Sequence, residues 1–460
     1  MRQRYARTAV AVAFFAYVLY IRVYDIADTF LMLGEQTRDW TIALGGITEL
    51  PLTGAPSTAG GRGFGPVYYW ILWLGRNLVG PFTDFLPHAG GVTVALLQSS
   101  ADTWLLVALW RRVGPFLALA MCLTLASAPF DIAISSVIWN PPVAAALIKM
   151  ATAMALQLGD TPPRWKIAST AALAWLAVQA HLSAIFVAAP LIVALIVTPA
   201  ATDLKVRRSP EINKPKGLSP PGIIRNLGLI AAVILLLQVP YFIAVARDPA
   251  APAGPTSAIS TMANAQAFRP DRSYSAAVNG AGDLLVRQSD SWFFQIPTLI
   301  AAIIVLITWR RDVMLLAASV GGIAGATVLF ATWTRGYDSY WFLTLTTAMV
   351  LIYGMAIAAI PFRPAVQGIG IVLLAAILVL QPMRVDQSTA FFKYPQYRTM
   401  RIASYELAAH HPVLRDIRIN FEGVHPTMDK YIIYRILGGR IDAAAPQQAY
   451  VNGDGSVRVE

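Results

Sequence analysis

The sequence predicts an all-α polytopic membrane protein with about 11 transmembrane helices and a small α/β cap after the last of them. Of its 460 residues, 56% are hydrophobic and 13% are charged. Apolar runs that approach or exceed the ~20 residues needed to cross a bilayer recur along the chain. Basic residues fall on alternate connections between these runs, as expected when a chain crosses a membrane repeatedly.

Hydropathy places the predicted spans within the first 383 residues. They lie at 8–23, 91–110, 114–131, 141–158, 166–182, 183–200, 223–245, 292–309, 313–332, 340–360 and 364–383. A shorter apolar segment, 66–79, is rich in Tyr and Trp and ends in Arg76, so we expect it to be re-entrant or to lie in the interface. Because the linkers at 110–114 and 182–183 are very short, the predicted number of helices is accurate to within one or two.

The basic residues predict the orientation of the chain. No small-residue cleavage site follows the first apolar run, so we expect an uncleaved first helix with a cytoplasmic N-terminus. The basic residues on the cytoplasmic side are then Arg111, Arg112, Arg164, Lys166, Lys205, Arg207, Arg208, Lys214, Lys216, Arg310, Arg311 and Arg363. Much of the net charge of +11 is therefore interpreted as a topology signal, and no nucleic-acid partner is expected.

The same orientation divides the chain into regions. A transmembrane domain, 1–383, contains a basic cytoplasmic linker at 201–222 and two exoplasmic loops, 24–90 and 247–290. The exoplasmic C-terminal domain, 384–460, mixes polar and apolar segments and is predicted to form the α/β cap. The single cysteine lies in an apolar run, so no intramolecular disulfide is available.

The loop 24–90 gathers polar residues in an otherwise apolar chain. A short helix predicted over 34–44 carries Glu35 and Asp39 four residues apart, so both carboxylates share one face, with Arg38 beside them. Such carboxylates suit a transferase, because they can accept a proton from an attacking hydroxyl or hold a divalent metal such as Mg or Mn. A charged interfacial helix that is simply solvated has the same spacing.

Further polar and aromatic residues lie at the outer ends of later spans. They are Trp139, Asn140, Gln179, His181, Tyr241 and a turn that contains Arg335, Tyr337, Asp338 and Tyr340. Each alone has a structural explanation as a helix start, a hydrogen-bonding group in a bundle or part of an aromatic belt. Together they favour chemistry at the outer leaflet, because the inner side carries basic loops and little else.

Five short motifs carry a resemblance to a known family. They are Gly34-Glu35-Gln36-x-Arg38-Asp39, Gly65-Pro66-x-Tyr68-Tyr69, Trp139-Asn140-Pro141, Gln179-x-His181 and Tyr337-Asp338-x-Tyr340. This set resembles the bacterial GT-C superfamily of glycosyltransferases, relatives of protein O-mannosyltransferases and lipid A aminoarabinose transferases. The resemblance covers residues 1–383, and Glu35 stands where these relatives usually have Asp. This resemblance implies a GT-C-like fold.

The resemblance also implies a function. It implies an enzyme of the bacterial inner membrane that moves a hexosyl or pentosyl group from a polyprenyl-phosphate donor to a hydroxyl of a lipid- or glycan-linked acceptor at the outer face, with inversion. Glu35 and Asp39 would be the catalytic carboxylates, and which one is the base is left open. No nucleotide is implied, in agreement with the lack of a GxxxxGK[ST] or GxGxxG motif.

The substrate-binding candidates follow from these motifs and from the first loop. They are Arg38, Arg62, Tyr68, Tyr69, Asn140, Gln179, His181, Arg335, Tyr337, Asp338 and Tyr340. Arg62 and Arg335 are candidates for the lipid phosphate, since a guanidinium suits phosphate oxygens, or else they anchor the chain in the interface.

Two other classes of function remain open. A transporter or flippase for a lipid-linked sugar would show repeated halves and discontinuous helices in the membrane. A polysaccharide polymerase or ligase would place its main catalytic loop late in the chain, where 247–290 carries Arg269, Arg272 and Arg287.

Two charged residues lie near the middle of predicted spans. Asp102 and Lys149 would each cost roughly 2.5–3.5 kcal/mol if left unpaired at a helix centre. We therefore expect them to form a structural ion pair. The alternative is that Lys149 is a phosphate-binding cation.

Overall fold

The computed structural model describes most of the chain. The described residues are 2–56, 61–159, 161–198, 220–248, 268–286, 291–333, 337–410, 416–421, 428–429 and 431–460. Arg287 and Arg335 lie outside these residues.

Helices dominate the first half of the chain. They are α1 (Arg2–Val23), α2 (Ile26–Thr29), α3 (Gly34–Leu44), α4 (Val67–Leu78), α5 (His88–Val113), α6 (Pro115–Ala126), α7 (Pro129–Ile134), α8 (Asn140–Leu156), α9 (Arg164–Ala180), α10 (Ile185–Val197) and α11 (Pro220–Arg247). Short 3-10 turns occur at Ile47–Glu49, Gly80–Phe82 and Leu182–Ala184.

The second half continues the helical bundle and ends in a small sheet. Its helices are α12 (Pro270–Val286), α13 (Ser291–Thr308), α14 (Val313–Ala318), α15 (Val320–Phe330), α16 (Leu343–Ala358), α17 (Arg363–Phe392), α18 (Gln396–His410) and α19 (Ile432–Ile436). Its strands are β1 (Asp416–Phe421), β2 (Arg440–Ile441), β3 (Gln448–Val451) and β4 (Val457–Val459), and a 3-10 turn covers Ser339–Phe342.

Five helices in the described ranges are long and apolar enough to cross a membrane: Tyr5–Thr29, His88–Val113, Gly222–Arg247, Ser339–Ala358 and Arg363–Ser388. The span in Ser339–Ala358 is 72% buried by other parts of the chain, whereas those in Gly222–Arg247 and Arg363–Ser388 are 11% and 17% buried. Apolar helices so exposed are stable only where lipid covers them. The prediction of an all-α polytopic membrane protein is confirmed.

Each of the predicted spans contains helix, but two of them are broken. The span 114–131 divides into α6 and α7, because Pro129 lacks the N–H that would continue the first helix. The span 313–332 divides into α14 and α15 at Ser319, whose φ of −107° and ψ of −90° are not helical.

The loop predicted over 247–290 contains a helix, α12, that hydropathy missed. Asp271, Arg272 and Asn279 lower the hydropathy of this segment. Small residues nevertheless allow it to pack closely, since a Cβ added at Gly280 would lie 2.4 Å from the ring of Phe342.

The C-terminal region forms the predicted small α/β unit. The last predicted span, 364–383, continues as α17 to Phe392. After α18, the sheet has the strand order β2-β1-β3-β4, in which β1 pairs in parallel with β2 and β3, and β4 is antiparallel to β3.

The cap contacts the segment that leads into α3. Arg401 of α18 forms an ion pair of 2.7 Å with Asp28 of α2. The backbone N–H of Asp429 donates to the carbonyl oxygen of Met32 at 3.0 Å. Lys393 forms a further ion pair with Asp25. These contacts fix the entry into α3 from the side of the cap.

Asp102 and Lys149 form the predicted ion pair, at 2.7 Å, within a larger buried network. Arg22 of α1 binds both Asp102, at 2.7 Å, and Asp131 of α7, at 2.5 Å. Lys149 also lies 3.4 Å from Asp131 and donates to Gln98 at 2.9 Å. The charges of two cations and two carboxylates therefore cancel in the interior, and the ion pairs join α1, α5, α7 and α8.

We expect Asp102→Asn to destabilise the protein by about 3–5 kcal/mol, because it leaves two buried cations with one carboxylate. The double variant Asp102→Asn/Lys149→Met restores neutrality around Arg22 and Asp131, and should recover more than half of the loss. Thermal unfolding of the detergent-purified chain measures both effects. Lys149→Met alone is measured as well. A double variant whose loss of stability equals the sum of the losses in Asp102→Asn and Lys149→Met would contradict the network.

Candidate active site

A cavity of about 300 Å³ lies where α3 meets the ends of several membrane helices. It brings together eight of the residues singled out from the sequence: Glu35, Arg38, Asp39, Arg62, Asn140, Gln179, His181 and Tyr340. They come from four separate regions of the chain.

Local signals build α3 with the boundaries predicted from the sequence, 34–44. Gln36 accepts a hydrogen bond from the N–H of Leu33 at 3.1 Å and donates to the carbonyl oxygen of Ile138 at 3.2 Å. The buried indole of Trp40 donates to the carbonyl oxygen of Phe85 at 2.8 Å. With one face of α3 anchored in this way, Glu35 and Arg38 lie on the cavity wall.

Asp39 is held by three donors. The Tyr68 hydroxyl donates to Oδ2 at 3.0 Å, and the Tyr69 hydroxyl donates to Oδ1 at 3.1 Å. The Nε of Arg38 donates to Oδ1 at 2.7 Å. Burial raises the pKa of both tyrosines, so they stay protonated donors. Both carboxylate oxygens are thus occupied, and the Asp39 side chain is only 3% exposed.

Glu35 lies one turn before Asp39 in a different environment. Its side chain is exposed on the cavity wall and forms no hydrogen bond or ion pair with the described part of the chain. The two carboxylates that the sequence could not distinguish therefore differ: Asp39 is fixed, and Glu35 is free to bind a ligand.

The opposite wall is formed where α8 begins and α9 ends. The Nδ2 of Asn140 donates to the carbonyl oxygen of Ala180 at 2.9 Å, which ties the two helix ends together. In the turn after α9, the Nδ1 of His181 lies 2.8 Å from the Oγ of Ser183. Burial lowers the pKa of His181 to about 4, so its imidazole is neutral near pH 7.

Gln179 lines the cavity, but its amide nitrogen is engaged by α11. It donates to the Oε1 of Gln238 and to the carbonyl oxygen of Leu237, both at 2.7 Å. Gly65 packs against this amide, and a Cβ added there would lie 2.5 Å from the Gln179 Cδ. The glycine of the Gly65-Pro66 motif thus permits close packing of the first loop on α9.

Arg62 lies on the cavity wall in a loop closed by backbone hydrogen bonds. The N–H of Gly54 donates to the carbonyl oxygen of Gly63, and the N–H of Gly63 donates to that of Ala55, both at 3.0 Å. The half-buried Arg62 side chain has no hydrogen-bond or ion-pair partner among the residues described here. Its guanidinium is available to an anion in the cavity.

Four of the other predicted binding residues lie off the cavity wall, and the fifth, Arg335, is outside the described residues. Tyr68 and Tyr69 are fully buried behind Asp39, which they hold. Tyr337 packs edge-on against Phe330 with ring centroids 5.4 Å apart, and Asp338 is exposed beside the cavity.

Five aromatic residues that were not among the predicted binding residues form an apolar part of the cavity, although Trp341 belongs to the outer turn already singled out from the sequence. They are Phe64, Phe186, Phe330, Trp333 and Trp341. The rings of Trp333 and Trp341 lie 5.2 Å apart, edge to face. The Trp-rich segment around residue 337 was the available signal, but its aromatic residues also fit an interfacial belt.

Glu35 and Asp39 fit a divalent metal poorly, although both were candidate ligands. Asp39 already accepts three hydrogen bonds, so only Glu35 has both oxygens without a hydrogen-bond partner among the described residues, and Mg or Mn prefers several oxygen ligands. Within the described residues, three or more His, Cys, Asp or Glu side chains do not cluster anywhere in a way that could hold a metal.

Comparison with known proteins identifies the fold. No family model matches the sequence, and no curated protein matches it. The structure of ArnT from Cupriavidus metallidurans bound to undecaprenyl phosphate matches with a TM-score of 0.60 and 14% identity, over 95% of this chain and 87% of that chain. The apo state of the same protein matches with a TM-score of 0.53 and 14% identity, over 94% and 85%.

A third match is an oligosaccharyltransferase from Archaeoglobus fulgidus in complex with Zn and sulfate, with a TM-score of 0.49 and 12% identity, over 95% of this chain and 62% of that chain. The ArnT matches show that this chain has a GT-C-like fold, as its motifs predicted.

We expect Gly65→Ala to destabilise the protein by about 1–3 kcal/mol, because the new methyl group would displace the Gln179 amide from its hydrogen bonds. Gly34→Ala is the matched control, since a Cβ there meets no atom within 4 Å. Thermal unfolding of the two variants should differ accordingly. Equal stability of both would show that the loop is not packed on α9 as described.

Proposed function

We propose that this protein is a glycosyltransferase that moves a sugar from a polyprenyl-phosphate donor to an acceptor hydroxyl at the outer face of a bacterial inner membrane. The main support is the cavity, in which a free carboxylate, Glu35, faces a neutral imidazole and two arginines. The GT-C-like fold agrees with this proposal.

In the proposed reaction Glu35 is the general base. A base must approach the acceptor hydroxyl with a free oxygen, and Glu35 has two. Asp39 already accepts three hydrogen bonds, from Tyr68, Tyr69 and Arg38, so it is a weaker base than Glu35 and has one acceptor site left, on Oδ2. Its role is to position Arg38 and to keep a negative charge fixed beside the reacting groups.

The two parts of the cavity suit the two parts of the donor. The aromatic part, with Phe330, Trp333 and Trp341, offers apolar surface to a polyprenyl chain. Arg38 and Arg62 offer guanidinium groups to phosphate oxygens. The ArnT structure, which is bound to undecaprenyl phosphate, supports a lipid of this class as the partner.

The step is a single displacement. Glu35 accepts the hydroxyl proton as the acceptor oxygen forms a bond to the anomeric carbon. The bond from that carbon to the phosphate oxygen breaks, and its electron pair leaves with the polyprenyl phosphate, which Arg62 stabilises. Attack opposite the leaving group inverts the anomeric centre. The neutral imidazole of His181 orients the acceptor, since Ser183 already holds its Nδ1.

The position of the cavity in the bundle supports the outer face. It lies at the start of α8, the end of α9 and the start of α10. The basic residues Arg164 and Lys166 lie at the other end of α9, which the positive-inside rule places in the cytoplasm.

We expect Glu35→Gln to reduce the transfer rate roughly 10²–10⁴-fold, because the base is lost while the shape is kept. Tyr68→Phe, which removes one hydrogen bond to Asp39, should reduce it only about tenfold. Radiolabelled polyprenyl-phosphate sugars supplied to membranes that contain each variant give the rates.

Glu49→Gln is the control, because Glu49 lies in the same outer loop but not on the cavity wall. It should retain full activity. Full activity of Glu35→Gln, or a larger loss in Asp39→Asn than in Glu35→Gln, would overturn the assignment of the base.

A further inference from the structure

A second, larger cavity lies at the opposite end of the bundle. It is open to the surface and has a volume of about 1130 Å³, and its wall includes Arg112, Leu158, Val197, Trp309, Arg310 and Arg311. The helix α8 runs between the two cavities, with Asn140 at the first and Leu158 just beyond its other end. At 1.5 Å per residue its 17 residues separate them by about 25 Å, so the cavities face opposite membrane surfaces.

The second cavity has an excess of positive charge. Asp312 forms an ion pair with Arg112, and its Oδ1 accepts the N–H of Leu315 at 3.0 Å. The acidic side chain on the wall is thus already neutralised. Arg310 and Arg311 are exposed and form no hydrogen bond or ion pair with the described residues, so two guanidinium groups remain free.

Most of the other side chains on the wall are apolar, apart from the Arg112–Asp312 ion pair and the small hydroxyl side chains of Thr198 and Thr308. Leu158, Val197, Ile307, Val313 and Met314 line the cavity beside the arginines. The Trp309 indole is fixed, since its Nε1 donates to the carbonyl oxygen of Met355 at 3.2 Å. A ligand that matches this surface has an anionic head with an apolar part attached.

We propose that this cavity binds an anionic phospholipid of the cytoplasmic leaflet, with its phosphate between Arg310 and Arg311. The positive-inside rule requires only that basic residues lie in a cytoplasmic connection between spans, and it does not require a cavity beside them. Here the two free arginines border a cavity with an apolar surface formed by Leu158, Ile307, Val313 and Met314, and this combination favours a phospholipid over a soluble phosphate. The cavity is separate from the proposed catalytic one, so the lipid is bound independently of sugar transfer.

Native mass spectrometry of the purified full-length chain tests the proposal. We expect phosphatidylglycerol to remain bound more tightly than phosphatidylcholine. Arg310→Gln/Arg311→Gln should weaken phosphatidylglycerol binding roughly 25-fold, since each basic residue near an anionic lipid contributes a factor of about five. Phosphatidylcholine binding should fall much less, because its choline cation offsets the charge of the phosphate.

The matched control is Arg164→Gln/Lys166→Gln, which removes the same charge from the same end of the bundle outside the cavity. It should leave phosphatidylglycerol binding within about twofold of the wild type. An equal loss of phosphatidylglycerol binding in both double variants would show that the lipid is attracted by the overall charge of this surface, and would overturn the proposed site. Protection from thermal unfolding by inorganic phosphate as strong as that by phosphatidylglycerol would overturn the lipid assignment. Unchanged thermal unfolding of the lipid-free variants excludes misfolding as the cause.

Discussion

The buried charges of Arg22, Asp102, Asp131 and Lys149 are the constraint on which the other parts of the structure depend. A single charge in this interior would be costly, but the four together are neutral, so they hold α1, α5, α7 and α8 in one arrangement. α1 leads into the loop that carries α3, and α8 begins at Asn140 on the opposite wall of the cavity. The network therefore joins the helices that lead to the two walls of the proposed catalytic site.

The second feature is the unequal environment of two carboxylates four residues apart. Tyr68 and Tyr69 on α4 fix Asp39, and Arg38 completes its hydrogen bonds. Glu35 is left free in a cavity with aromatic walls. Contacts between the cap and the residues before α3 hold this helix from the other side. A long first loop thus becomes a rigid support for one free carboxylate.

Much of this architecture could be predicted because it depends on local signals. Hydropathy located the bundle, and the residues at 34–44 predicted α3 with its observed boundaries. The Asp102–Lys149 pair could be inferred from the cost of a lone charge in the membrane. The partners Arg22 and Asp131 could not, since Arg22 is at the end of its span and Asp131 was assigned to a span end. The hydrogen bond between Gln179 and Gln238 across the bundle could not be predicted either. Contacts between distant segments carry no periodic signal in one sequence.

The proposed transferase and a transporter differ in the fate of the phosphodiester that links the sugar to the lipid. Phosphorus NMR of a polyprenyl-phosphate sugar, incubated with an acceptor in membranes that contain the protein, follows this bond directly. The proposed transfer converts the phosphodiester signal into the phosphomonoester signal of polyprenyl phosphate with the wild type, and not with Glu35→Gln. A phosphodiester that crosses the membrane intact, or a monoester formed equally with Glu35→Gln, would contradict the account.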